Sequence, residues 1–422
     1  MNFFWFRRDL RLEDNIALYN ATVQKEAVIP LFIFDSDIIS SLTKNDSRIS
    51  FIYMTLFQID IELKKQNSSL LIKLGKPIEV WAELIKEYTI EKVFFNKDYE
   101  PYAIKRDNEV KELLCLNNIE SYSFKDQVIF EEAEIVKDNG LPYTVFTPFK
   151  NKWLSNFNSI SFQKNTPLPN FYKFRSSFPT IESLGFIVSA INVKPYNLEF
   201  IEKYDQIRNF PFLDQTSYVS PYLRFGLISI RKLVRIASST NTMYLSELIW
   251  REFFMQILFH FPKVVTDNFK SKYNRIEWRN NKDEFDKWCK GETGYPIVDA
   301  GMRQLNTTGY MHNRVRMVTA GFLCKHLLID WRWGEAYFAD KLIDYDLSAN
   351  NGNWQWASGT GCDSAPYFRI FNPIEQVKKF DSKYAYIKTW VKDLNEITYP
   401  KQIVEHKFAR ERALIAYRKG LQ

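Results

Sequence analysis

The chain has 422 residues, too many for one ordinary hydrophobic core and enough for two domains. With 45% hydrophobic and 25% charged residues it reads as a globular chain, and no run approaches the roughly 18 apolar residues of a membrane span. A net charge of +7 suits a polyanionic partner, while four scattered cysteines (Cys115, Cys289, Cys324, Cys362) without a CxxC pair read as reduced thiols, leaving zinc and iron–sulfur centres without ligands.

The opening MNFFWFRRDLRLED is apolar for only a few residues before Arg7, Arg8 and Asp9 interrupt it, which is too short for a signal peptide. Over residues 1–128 the runs FFWFRR, AVIPLFIFD (27–35), LLIKLG (70–75) and KVFFNKD (92–98) have strand character. Between them, SRISFIYMTLFQIDIELKKQ and PIEVWAELIKEY place apolar residues at helical spacing. This alternation predicts a Rossmann-like, doubly wound parallel sheet, although no GxGxxG follows the first strand. Residues 129–195 are rich in Pro, Ser, Asn and Phe and predict a long surface connector ordered by its aromatics. Residues 196–422 are helical in pattern, with strong periodicity in SELIWREFFMQILFHF and VRMVTAGFLCKHLLIDWRWGEAYFADKLI. The expected fold class is therefore α/β followed by all-α. Aromatic residues make up 16% of the chain, and most of the 11 tryptophans fall between positions 250 and 356. Core filling accounts for aromatics in general, but such clustering asks for a second explanation.

Five segments carry a resemblance: WFRRDLRLEDN from Trp5, TSYVSPYLRFG (216–226), SELIWREFF (246–254), TGYPIVDAGMRQLNTTGYMHNRVRM (293–317) and DWRWGEAYFADKLIDYDLSANNGNWQWASGTGCDSAPYFRIFNP (330–373). In this order, and over nearly the whole chain, they resemble the photolyase/cryptochrome family, most of all its class I cyclobutane pyrimidine dimer photolyases. The resemblance implies an N-terminal α/β domain, a C-terminal helical FAD-binding domain, and light-driven repair of dimer-containing DNA.

For the cofactor, Thr216, Ser217, Tyr218, Val219 and Ser220, followed by Pro221, are hydroxyl-rich and suited to cap a helix and cradle a diphosphate. Alone, such a run is an ordinary N-cap; the resemblance makes it a flavin contact and adds Tyr204. It also implies that Asp346 accepts from the isoalloxazine, that Asp344 pairs with Arg316 beside it with Tyr345 between the two carboxylates, and that Asn350 faces flavin N5. An amide there can donate or accept, favouring reduced or half-reduced flavin. Trp354, Trp331 and Trp278 match the family's tryptophan wire for flavin photoreduction, since indole oxidises readily.

For the lesion, Glu247 and Trp250 lie at i, i+3 on one helix face, and Asn313 and Met317 at i, i+4 on another. With Trp356, these match the family's dimer contacts: Glu247 to a pyrimidine edge, Asn313 to the carbonyls, Trp250 and Trp356 as the wedge. Arg208, Gln376 and Lys379 match phosphate contacts, whereas Lys378 reads as a solvated face. The (6-4) photolyases place histidine where this chain has Asn313, with His312 one residue away; DASH-type cryptochromes end the tryptophan block in W-x-Y, where this chain has Trp356. A signalling cryptochrome or a (6-4) photolyase is the alternative. In Asp98-Tyr99-Glu100-Pro101-Tyr102-Ala103, alanine stands where folate-binding relatives have glutamate, so a second, antenna chromophore of deazaflavin or other flavin type is expected over methenyltetrahydrofolate. The expected protein is a cytoplasmic monomer with no obligate protein partner, joining the nucleoid when bound to damage.

Overall fold

The structure, a computed structural model, describes residues 1–158 and 166–422; positions 159–165 of the expected connector lie outside the described residues. The chain forms two compact units, each assembled from separate stretches of sequence.

The first unit comprises Met1–Glu134, Leu154–Pro195 and Val219–Ile236. Its strands β1 (Asn2–Phe6), β2 (Val28–Asp35), β3 (Leu71–Gly75), β4 (Lys92–Asn96) and β5 (Glu120–Phe124) form a parallel sheet in the order β3-β2-β1-β4-β5. β1 is apolar at nearly every position because both faces are covered. Phe3 and Trp5 pack with Ile29, Leu31, Trp81 and Val110 on one side, while Phe4 and Phe6 pack with Val28, Leu56 and Leu63 on the other. β5 (ESYSF) was absent from the expected strands. It lies at the sheet edge, half exposed and polar, so it lacks the apolar run that betrays a buried strand.

Strand order reverses between β1 and β4, the usual cofactor crevice of such sheets. Here the Asn96 amide, at the end of β4, donates to Asp9 (2.6 Å) and to Asn15 (2.8 Å), and all three side chains are buried. Burial holds the Asp9 carboxyl above its ordinary range.

Residues 219–236 belong to this unit rather than to the helical stretch expected to begin at 196. The physical reason is a buried ion cluster. Arg231 binds Asp14 (3.1 Å) and Asp126 (2.8 Å), and Arg11 binds Asp126 (2.7 Å). Gly226 has φ +71°, and a Cβ there would lie 2.1 Å from the Arg8 carbonyl oxygen, so only glycine permits this approach.

The second unit comprises Ile135–Trp153, Tyr196–Tyr218 and Ala237–Gln422. Within the expected connector a helix forms at Phe146–Phe157, with Phe146, Phe149 and Trp153 buried. The Trp153 Nε1 donates to Glu252 at 2.7 Å, on the mostly buried helix Thr242–His260, whose N-cap Asn241 accepts from Met243 and Tyr244. The long periodic stretch from Val315 is not one helix. The helix Asn313–Gly321 passes into a π-turn at Phe322–His326, Leu328 takes φ +52°, and Asp330 caps a new helix, Trp331–Lys341. The core gathers Trp288, Tyr295, Val315, Phe322, Trp331, Phe338 and Trp354. No helix among the described residues is long and apolar enough to cross a membrane.

Candidate active site

The helix Leu347–Ser358 organises the site. Asp346 is its N-cap, accepting from Ala349 N (3.1 Å) and Ser348 Oγ (2.5 Å), and Asn350, Trp354 and Trp356 project from its turns. Beside it lies a cleft open to solvent. Asn313, Arg316, Met317, Asp344, Tyr345, Asp346, Asn350, Trp354 and Trp356 all line it, which brings nine sequence-selected residues together. Its apolar wall is Ala320, Phe338, Leu342 and Ala357.

Arg316 fixes the polar edge. Its Nη2 reaches both oxygens of Asp344 (2.9 and 3.2 Å) and its Nε donates to the Met311 carbonyl (2.7 Å). Burial opposes the guanidinium charge, but Asp344 outweighs it and holds Arg316 above its ordinary value. Apolar walls, a guanidinium–carboxylate edge and side-chain amides are the complement of a tricyclic flavin ring, with its apolar benzenoid end and hydrogen-bonding pyrimidine end. The residues present fit that group.

The hydroxyl run behaves differently from its expected role. The cap of the helix Ser220–Arg224 is Val219, which supplies no side-chain bond, and Pro221 in the first turn leaves one N–H fewer to satisfy. Thr216 Oγ1 instead pairs with the Tyr310 hydroxyl (3.0 Å), and Ser217 Oγ with the Tyr244 hydroxyl (3.1 Å). Tyr218 adopts φ +50°, unusual for a bulky residue, and its hydroxyl donates to Asp214. Tyr310, which sequence reasoning missed, links this run to the cleft, because the Arg316 guanidinium lies 5.6 Å from its ring centre. Tyr204 packs edge-on against Tyr244 at 5.0 Å. Val219 and Ser220 fall in the α/β unit with the rest of Val219–Ile236.

Glu247 and Trp250 are not among the residues lining the cleft. Glu247 forms an ion pair with Arg208 at 2.6 Å, and the Arg208 guanidinium covers the Tyr204 ring at 5.4 Å. Burial raises the Glu247 carboxyl above its ordinary value, with Arg208 opposing. Trp250 lies flat on Phe146 (3.6 Å between ring centres, 8° between planes) and is braced by Phe253 and Phe254.

His312 is the N-cap of the helix Asn313–Gly321, its Nδ1 accepting from Arg314 N at 3.1 Å. Burial pushes its pKa down to about 4, so it stays neutral, while Asn313 faces the cleft. Arg314, also missed in the sequence, donates to Asn209 (2.6 Å) and stacks over Phe380 at 4.4 Å. That contact joins it to the helix Pro373–Phe380, which carries Gln376 and Lys379. The Gln376 Oε1 is buried without a partner among the described residues, and Lys378 is solvated beside Glu375.

Trp354 and Trp331 are buried in one core and Trp278 packs against it. Trp354 touches Phe338 (4.9 Å) and Trp288 (6.1 Å), Trp331 donates to Asn268 (2.8 Å), and Trp278 meets Tyr417 at 5.9 Å. Trp288 and Tyr417 were not singled out in the sequence, although Trp288 sits within the tryptophan-rich stretch. Glu335 was missed too: it receives both hydrogens of the Asn350 amide, one on its carboxyl (2.9 Å) and one on its main-chain oxygen (3.2 Å).

Residues 2–171 match the family model described as DNA photolyase, and residues 244–398 match the FAD binding domain of DNA photolyase. The deoxyribodipyrimidine photo-lyase of Vibrio cholerae is 36% identical, with 99% of each chain covered. That of Synechococcus sp. is 36% identical over 95% of this chain and 89% of its own. An archaeal photolyase from Sulfolobus tokodaii, solved with two FAD molecules, superposes with TM-score 0.88 at 33% identity, covering 99% of this chain and 100% of that one. A Synechocystis cryptochrome shares the fold, with TM-score 0.84 at 24% identity over 99% of both chains.

Proposed function

The chain belongs to the DNA photolyase family, and on that premise we propose that it is a deoxyribodipyrimidine photo-lyase, splitting cyclobutane pyrimidine dimers in DNA with light and bound FAD. The observation that carries this reading is that one cleft is lined both by Arg316, Asp344, Asp346 and Asn350, which suit a flavin, and by Asn313, Met317 and Trp356, which suit a pyrimidine dimer beside it. Bound and reduced, FAD supplies the light-excited electron that opens the cyclobutane ring.

The protein's own residues do the rest. The dimer must leave the base stack to reach the cleft. Trp356, in the cleft lining, offers the dimer an aromatic surface, and Trp250, stacked on Phe146 outside that lining, would supply a second one to bound DNA. Asn313 can donate and accept at pyrimidine carbonyls. Glu247, its carboxyl raised by burial, can hold a proton on the pyrimidine edge once Arg208 turns to a phosphate. Gln376 and Lys379 would join Arg208 on the backbone, positioning DNA without reading its sequence. Asn313 in the cleft, with His312 engaged as a helix cap, favours the cyclobutane dimer over the (6-4) lesion. Ala103, buried in the helix Pro101–Leu116, offers no carboxylate to a folate, which supports a flavin-type antenna.

The test is to reduce the purified flavoprotein and illuminate it with oligonucleotides carrying either lesion. Loss of cyclobutane dimers alone is the expected result. Repair of the (6-4) lesion instead, or of neither, would refute the assignment.

A further inference from the structure

We infer that Asp363 and Phe146 are positioning residues for Trp250: they preset the plane of its indole, and with it the affinity for the lesion, before DNA arrives. The inference rests on the reading of Trp250 as a surface for the flipped dimer.

Phe146 opens the helix Phe146–Phe157, and the residue before it, Val145, has no side-chain oxygen with which to cap it. Pro148 has no N–H to satisfy, and Phe149 N bonds back to the Val145 oxygen at 3.4 Å. The Phe146 N–H is met instead from a distant segment, by Asp363 Oδ2 at 3.0 Å. A carboxylate at that end also suits the helix dipole. Asp363 is itself firmly seated. Its segment leaves the helix Leu347–Ser358, which carries Trp356, through Gly359 at φ +85°. Lys270 N donates to the Thr360 oxygen (3.0 Å) and Lys270 Nζ to Ser364 Oγ (3.0 Å), one on either side of Asp363.

From Phe146 the restraint passes to Trp250. The two rings lie 3.6 Å apart and 8° from parallel, while Phe253 and Phe254 brace the indole at 5.5 and 5.4 Å. Phe146 is only 7% exposed, too little for DNA to touch, so its influence runs through Trp250, which is half-buried and keeps open surface. An indole free to turn would have to be ordered when the dimer arrives, and that cost would weaken binding. Here the ordering is done in advance. The same contacts tie the segment after Trp356 to Trp250, so the two aromatic surfaces offered to the lesion are held in a fixed relation.

The experiment measures binding in the dark and repair in the light on the same flavin-loaded protein. Oligonucleotides with and without a cyclobutane dimer are titrated in the dark. Phe146→Leu keeps the bulk but loses the flat ring, and should weaken the dimer Kd about tenfold, or about 1.4 kcal/mol, with undamaged DNA within about twofold of the parent. Asp363→Ala should weaken it about fivefold, the worth of a lost cap. Phe146→Tyr keeps the ring and should restore parental affinity. In both weakened variants the loss should lie in affinity and not in repair at saturating dimer. The decisive measurement is a double-mutant cycle: in a Trp250→Ala background, Asp363→Ala should cost nothing further. Parental dimer affinity in either Phe146→Leu or Asp363→Ala overturns the inference, and so does Phe146→Tyr binding as weakly as Phe146→Leu. A loss additive with Trp250→Ala, or equal for damaged and undamaged DNA, overturns it too, since either marks a merely structural role. If Phe146→Leu does not fold, Asp363→Ala and the cycle decide. The expected binding pattern without repair in the light supports this inference and refutes the proposed activity, whereas a parent protein that binds both DNAs equally overturns both.

Discussion

Gly334→Ala separates tertiary packing from intrinsic helix preference at the centre of the site. Gly334 lies inside the helix Trp331–Lys341, where alanine should gain about 1 kcal/mol from helix propensity. A Cβ at this position, however, would lie 2.1 Å from Trp354 Cη2 and 2.5 Å from Leu323 Cδ2. Carbon contacts settle at about 3.5–4.0 Å, so the ring must move by more than an ångström. Trp354 is 2% exposed and boxed in by Phe338 and Trp288, leaving it nowhere to go without displacing a neighbour. Overpacking of this kind costs about 1–3 kcal/mol or more, which outweighs the propensity gain. Urea denaturation followed by tryptophan fluorescence should place the variant about 1–2 kcal/mol below the parent. The displaced ring should also slow light-driven flavin reduction. Gly321→Ala is the control: its Cβ would meet only Phe371 Cδ2, at 3.9 Å, and it should be neutral or slightly stabilising. A Gly334→Ala protein as stable as Gly321→Ala would refute the packing argument.

Buried Lys325 makes a second prediction. Burial pushes its pKa down from the ordinary 10.5 to about 7, while its Nζ donates to the carbonyls of Ser358 (2.6 Å) and Tyr367 (3.2 Å). Between those two values the unfolded chain holds a proton that the folded one has released, so stability should rise with pH across that window by a few kcal/mol. Urea titrations at several pH values should show the rise in the parent and its flattening in Lys325→Met. Asp344→Asn leaves the Arg316 guanidinium without its carboxylate, and flavin per protein, read from visible absorbance, should fall about tenfold or more at limiting flavin. Trp278→Phe should slow photoreduction of oxidised flavin while leaving dimer repair by chemically reduced enzyme near the parental rate. Equal loss of both would remove Trp278 from the wire.

Local signals were the legible ones. The first four strands announce themselves as apolar runs between turn residues, and helices such as Ser47–Lys65 by their spacing and their Asp46 cap. β5 was hidden because a half-exposed edge strand needs no continuous apolar run. The assignment of 219–236 to the α/β unit was hidden because it depends on Arg231 meeting Asp126, a pairing across 105 residues that no window of sequence contains. In the site, motif resemblance selected residues that now line one cleft, yet it could not foresee where their hydrogen bonds go. Thr216 and Ser217 are the case in point: hydroxyls at a helix start suggested caps, and the bonds run instead to Tyr310 and Tyr244. Glu335 looked like any helical glutamate, and only the amide pointing at it marks it out.

The interleaving of the two units bears on how the protein is born. Ribosomes deliver β1 to β5 within the first 124 residues, but Arg231, the second cation on Asp126 and the neutraliser of Asp14, emerges more than a hundred residues later. At about 5–20 residues per second, the nascent sheet waits on the order of ten seconds with that acidic pair only partly compensated by Arg11. Throughout that interval Gly226 has yet to dock against Arg8, and the apolar edge later covered by Phe225 is open to chaperones. A stalled or truncated chain ending near residue 195 would therefore be an aggregation-prone fragment, not a free-standing α/β domain.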